Sequence, residues 1–159
     1  MARFKHSKNK IVIIIISILL SIGGIFGAIA LFGGFEKDTK EIKSSVFSIG
    51  GLDNSGNYVE TDTSIYTKDA FECKGLKIEV DFESTVTYAI YFYDEEGYFI
   101  SFESMTDNFN SELPENARYC RISITPKEDQ KVSWYEVNKY AKQLTITVDA
   151  NQVFDSDVV

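Results

Sequence analysis

The sequence predicts an all-β domain, an antiparallel sandwich, preceded by a single N-terminal transmembrane helix. Three observations carry that expectation. Residues 11–35 run for 25 positions without a charge, Asn, Gln, Pro or His. From residue 45 onward apolar residues recur at every second position, the period of a half-buried strand. Between these runs stand turn signals, namely Gly50-Gly51, Asn54-Ser55-Gly56-Asn57 and Asp94-Glu95-Glu96-Gly97, at the spacing of short sandwich strands.

The elements follow in chain order. Residues 1–10 hold Arg3, Lys5, Lys8 and Lys10 and no acid, a basic cytoplasmic stub. As a helix, residues 11–35 would reach roughly 37 Å, enough for a hydrocarbon layer of about 30 Å. Only a helix satisfies the backbone of a lone segment in lipid. Four basic residues precede this run and Lys37, Lys40 and Lys43 follow it, which places the N-terminus inside and the domain outside, as a single-pass signal-anchor of the cell membrane. Ala28-Ile29-Ala30 is a small-x-small site, so cleavage after Ala30 stands beside the uncleaved anchor, which the long apolar run favours. Gly23 and Gly27 form a GxxxG face suited to packing on another membrane helix. Residues 36–44 alternate charge and read as an exposed spacer.

Residues 45–150 form the extracytoplasmic sandwich. Leu76, Ile78, Val80 and Phe82 alternate with Lys77, Glu79 and Asp81, giving one apolar and one charged face. Residues 86–93, VTYAIYFY, are rich in β-branched and aromatic types. The Asp94–Gly97 loop joins them to a strand beginning near Tyr98, with Gly97 at the expected positive-φ position. Residues 118–124 alternate Cys120, Ile122 and Ile124 against Arg121 and Ser123, and residues 143–149 repeat the pattern with Leu144, Ile146 and Val148. Weaker strands fit 45–49, 57–60 and 64–67. Residues 134–142 suit one helical turn or a loop, and residues 151–159 a flexible tail.

Composition limits the function. The whole chain of 159 residues carries a net charge of −8. The stub holds four basic residues, leaving twelve Lys and Arg against twenty-four Asp and Glu beyond it, a net −12. That balance argues against nucleic acid as a partner. The single histidine is His6, in the stub. The domain therefore has no Ser-His or Cys-His nucleophile pair and no His-based zinc site. No carboxylate pair is marked for hydrolysis, so no catalytic residue, no enzyme activity and no cofactor is expected.

Three sets of residues remain candidates. Trp134, Tyr135 and Tyr140 fall in an irregular segment, where aromatic rings form a platform for a sugar. Asp53, Ser55 and Asn57 place oxygen atoms at alternate positions, a weak calcium pattern that lacks its terminal bidentate Glu and reads more simply as a turn. Cys73 and Cys120 are the only cysteines; on the exported side they form either one disulfide or two independent reduced thiols, and the sequence leaves both open.

The series TDTSIYTKDAF, GLKIEVDF, YAIYFYDEEGYFIS and LPENARYCRISIT resembles the jelly-roll, carbohydrate-binding-module-like domains of bacterial surface proteins, glycoside hydrolases and phage tail proteins. Phe92–Ser101 and Pro114–Ile124 are its most specific pieces, and it covers roughly residues 45–149. The resemblance implies a jelly-roll-like β-sandwich that binds, usually glycan, without chemistry. It supplies no fixed binding residues, and the chain lacks a row of tryptophans. Two function classes are therefore expected: a membrane-anchored module for glycan or cell-wall material, or a structural or assembly subunit of a cell-surface membrane complex. The expected partners are the lipid bilayer with such a polymer, or another membrane protein through the Gly23/Gly27 face.

Overall fold

The computed structural model describes residues 38–150 apart from Asp129. The expected stub, the expected 11–35 helix with Gly23 and Gly27, the Ala30 site and the expected 151–159 tail lie outside the described residues. Among the described residues no helix is long and apolar enough to cross a membrane.

The described chain is all-β and antiparallel. Its eleven strands are β1 (Thr39–Glu41), β2 (Phe47–Ile49), β3 (Gly51–Leu52), β4 (Tyr58–Val59), β5 (Ile65–Thr67), β6 (Phe71–Glu72), β7 (Lys77–Val80), β8 (Val86–Tyr93), β9 (Phe99–Met105), β10 (Tyr119–Pro126) and β11 (Leu144–Asp149). One helix, α1 (Val137–Ala141), precedes β11, and a 3-10 turn, Ser44–Val46, precedes β2. The larger sheet runs β2-β5-β10-β8-β9, with β6 also paired to β10. The smaller runs β1-β11-β7, and β3-β4 is a separate hairpin.

Period-two alternation builds the core between the sheets. On β8, Val86, Tyr88, Ile90 and Phe92 turn inward and meet Ile122 and Ile124 of β10 and Ile78, Ile146 and Val148 of the smaller sheet in one cluster. The β8–β10 register pairs Ile90 with Ile122 and Phe92 with Cys120, so apolar side chains from neighbouring strands stack on the same face. The other face of β8 carries Tyr91 and Tyr93, which the β3-β4 hairpin covers: the two hydroxyls donate to the Leu52 and Gly56 carbonyls at 3.0 and 2.9 Å. At Gly56, with φ +73°, a Cβ would lie 2.6 Å from the Tyr93 hydroxyl, so only glycine allows this approach.

The β8-β9 hairpin forms as its sequence requires. Asp94 Oδ1 accepts the Glu96 and Tyr98 N–H groups, and Gly97 sits at φ +85°. Two other expectations are corrected. The strand predicted through Phe82 stops at Val80, because a turn closed by Ser84 N–H on the Asp81 carbonyl swings Phe82 out to full exposure. The spacer is not simply exposed: Thr39–Glu41 pair with β11, and Ile42, whose N–H donates to the Ile146 carbonyl, is buried in the core. The sandwich thus begins at residue 39 rather than 45. Burying one isoleucine is worth about 1.5–3 kcal/mol, which offsets part of the cost of ordering this short polar strand.

Candidate binding cleft

The segment from Lys131 to Gln143 reaches the site through a local signal, Ser133-Trp134-Tyr135-Glu136. This is the S-x-x-E pattern of a capping box, of which only the Glu136 half forms: the Ser133 hydroxyl donates to the carboxylate instead of accepting the Glu136 N–H. The Glu136 carboxylate accepts both the Ser133 N–H, at 3.1 Å, and the Ser133 hydroxyl, while the Glu136 N–H donates to the Ser133 carbonyl at 2.9 Å. The box ties positions 133 and 136 together and leaves the two aromatic residues between them on the outside of the turn. Burial fixes both flanks. Val132 is buried and donates its N–H to the Asp62 carbonyl; Tyr140 and Ala141 of α1 enter the core.

Trp134 is 80% exposed and Tyr135 68%, with ring centroids 5.9 Å apart and planes at 84°, edge to face. Trp134 lines a cleft of about 400 Å³ with Val137 and Asn138 of α1 and with Ser44, Ser45, Phe47, Ser48 and Ile49. The last five belong to the 3-10 turn and to β2, an outer strand of the larger sheet. Four lining residues carry uncharged polar side chains, three are aliphatic or Phe, one is Trp, and none is charged. Such a surface offers a flat apolar face beside hydroxyl and amide groups that donate and accept hydrogen bonds. Among the described lining residues none is an acid, a base or a cation.

Of the three aromatic candidates, the structure brings Trp134 and Tyr135 together and removes Tyr140. Tyr140 is only 1% exposed; its hydroxyl accepts from Gln130 Nε2 at 2.6 Å, and Lys139 Nζ lies 5.0 Å from its ring centre. It anchors α1 instead of meeting a ligand, because the helix that frees Trp134 turns position 140 inward. The Asp53 loop is an Asx turn. Asp53 Oδ1 accepts the Ser55 and Asn57 N–H groups at 2.8 and 2.9 Å, and Oδ2 faces the Asn57 amide, which holds the carboxyl below its usual range. The carboxylate of the weak calcium pattern Asp53, Ser55 and Asn57 is thus already engaged inside the loop. Among the described residues no three His, Cys, Asp or Glu side chains come together to hold a metal. Cys73 and Cys120 are both buried, as free thiols.

Sequence reading missed the serines of the cleft. Ser44 ends the charged spacer and Ser45 and Ser48 lie in a weak strand signal, and nothing local indicates that α1 will pack across them. A second groove lies elsewhere, lined by Val80, Asp81, Phe82, Ser84, Thr106, Asp107, Asn108 and Lys127. The Lys127 ammonium there donates to the Ser84 carbonyl at 3.0 Å.

The capping box makes the cleft sensitive to acid. Hydrogen bonds from Ser133, side chain first and backbone second, hold the Glu136 carboxyl below its ordinary value of 4.5. A depressed carboxyl stabilises the folded turn above that ordinary value, and the stabilisation is lost as pH falls through the lower, folded one. Trp134 is the only tryptophan, so its fluorescence reports this turn alone. An emission change confined to pH below about 4.5 is expected, smaller in Ser133→Ala, which keeps the backbone donor, and abolished in Glu136→Gln. An unchanged step in Glu136→Gln would show that Glu136 is not the group responsible.

No family model, no curated protein and no solved structure matches this chain.

Proposed function

We propose that the chain is a membrane-anchored, extracytoplasmic binding module that holds glycan or cell-wall material in the cleft beside Trp134, without catalysis. The observation that carries this reading is an exposed tryptophan at the rim of an uncharged cleft lined by three serines and an asparagine. Sugar rings have an apolar C–H face and a hydroxyl rim, and both find partners there. The apolar 11–35 run supports the anchored placement, and the basic stub supports the outward one. The antiparallel sandwich is the architecture expected of the jelly-roll, carbohydrate-binding-module-like domains that the sequence resembles.

The test is binding of the full chain, in detergent or nanodiscs, to a broad panel of neutral, cationic and anionic polysaccharides. Saturable binding to at least one polymer is expected, and silence across the panel would sink the reading. A structural or assembly subunit is the second reading. It is favoured by β9, an edge strand with a single charged residue, Glu103, and with no second strand partner among the described residues. Strand addition to such an edge is a common mode of protein docking. Co-purification of a membrane partner in mild detergent supports it, and a strictly monomeric particle contradicts it.

A further inference from the structure

We propose that Cys73 and Cys120 become a buried intrachain disulfide as the domain folds, locking the place where the chain crosses from the larger sheet to the smaller. The register places them. Phe71 pairs with Cys120 and Glu72 with Tyr119, and the Cys73 N–H donates to the Arg118 carbonyl at 3.1 Å. Cys73 therefore stands two positions beyond Phe71 on the same strand face, diagonal to Cys120, and both side chains turn into the core. Both side chains belong to the same buried cluster, as free thiols. Both residues are completely buried, and the chain has no other cysteine to compete for either.

The pair is chemically unequal. The neighbouring Cys120 and the nearby Arg118 guanidinium lower the Cys73 thiol, while burial pushes the Cys120 thiol up. Those shifts belong to the closed domain; before it closes, Cys73 is the thiol an oxidant meets first, because it starts the 73–76 turn that is still open. Its thiolate displaces one sulfur of a small-molecule or oxidoreductase disulfide, giving a mixed disulfide and one free thiolate. Cys120 then loses its proton, attacks the Cys73 sulfur and expels the second thiolate. The two cysteines give up two protons and two electrons, and the oxidant's disulfide becomes two thiols. Burial sets the order of events. An oxidant cannot reach either sulfur once the sandwich has closed, so the bond forms while the 73–76 turn is still open. That turn, closed by Leu76 N–H on the Cys73 carbonyl at 3.0 Å, starts the crossing into β7.

The proposal takes its oxidant from the extracytoplasmic placement, and the experiment supplies one directly, so the two fail separately. The full chain is unfolded and reduced, refolded in a mixture of oxidised and reduced glutathione, and quenched with acid. It is then denatured, alkylated and weighed. The expected product is a monomer lighter by about 2 Da than the reduced chain, with no alkyl groups added. Once refolded, it should resist dithiothreitol at least about tenfold longer than in denaturant. Two alkylated cysteines, or a glutathione adduct on the wild-type chain, would overturn the proposal. So would equally fast reduction of folded and unfolded protein. The Cys120→Ser variant should trap glutathione on Cys73. The wild-type masses decide the matter even if that variant does not fold.

Discussion

Phe92→Ala is expected to destabilise the domain by about 3–5 kcal/mol, the largest effect of any single truncation here. Phe92 lies near the end of β8, is completely buried, and is opposite Cys120 on β10 and Ser101 on β9. Its ring lies 6.3 Å from that of Phe109. Phe109 in turn exchanges both backbone hydrogen bonds with Ile78 of the smaller sheet, at 2.8 and 3.0 Å. The ring therefore fills space where the two sheets meet, and the loop carrying Phe109 cannot collapse into the gap without breaking those bonds. Removing the ring costs both its transfer free energy and a cavity. Phe82→Ala is the control: with its side chain fully exposed, it should change stability by no more than about 0.5 kcal/mol. Urea unfolding of both variants, followed by near-ultraviolet circular dichroism of the buried tyrosines, checks the pair. Equal costs would mean that the turn at Asp81–Ser84 does not form.

The two phenylalanines show which parts of this fold are legible in sequence. β8, β10 and β11 each bury one face over six to eight residues, and their alternation is long enough to fix both position and orientation. Phe82 continues the alternation of β7 on paper, but a turn decides its place. The hydrogen bond closing that turn comes from Ser84, which no apolar pattern reveals. β1 and β6 have two or three residues each and are held by partners distant in sequence, such as Asp149 for Thr39. Strands of that length exist only because a neighbour offers an edge, so their own residues carry almost no signal. Ile42 was the one local clue: a lone large apolar residue in a charged stretch is a plug for the core.

The candidate site divides in the same way. Trp134 and Tyr135 were visible as aromatics in an irregular segment, and the box from Ser133 to Glu136 explains their exposure. That box was also present in the sequence as S-x-x-E, and it separates Trp134 from Tyr140. Residues inside the box point outward, whereas the helix after it turns position 140 to the core. The serines across the cleft are near Trp134 only through packing of α1 against β2, a contact between segments some ninety residues apart. Sequence therefore showed one wall of the cleft, and the fold supplied the other.

Trp134→Ala is expected to weaken glycan binding by about 30-fold, the factor that corresponds to roughly 2 kcal/mol for losing an exposed aromatic anchor. The same change should leave stability within about 0.5 kcal/mol, because the ring is 80% exposed and touches only Tyr135 among aromatic neighbours. Ser48→Ala removes one hydroxyl from the opposite wall and should cost about 2- to 10-fold in affinity, as for a single hydrogen bond. Tyr140→Phe should behave in reverse. It deletes the hydroxyl that accepts from Gln130, lowers stability by about 1 kcal/mol, and spares affinity because that side chain never reaches the cleft. Titration calorimetry against the polymer found in the panel, paired with thermal unfolding of each variant, measures both quantities. The decisive comparison is between Trp134 and Tyr140, two aromatic residues six positions apart. If truncating the exposed one lowers stability without lowering affinity, Trp134 is a structural residue and the cleft beside β2 is not the glycan site. If affinity falls while the fold holds, binding resides in the turn that Ser133 and Glu136 close.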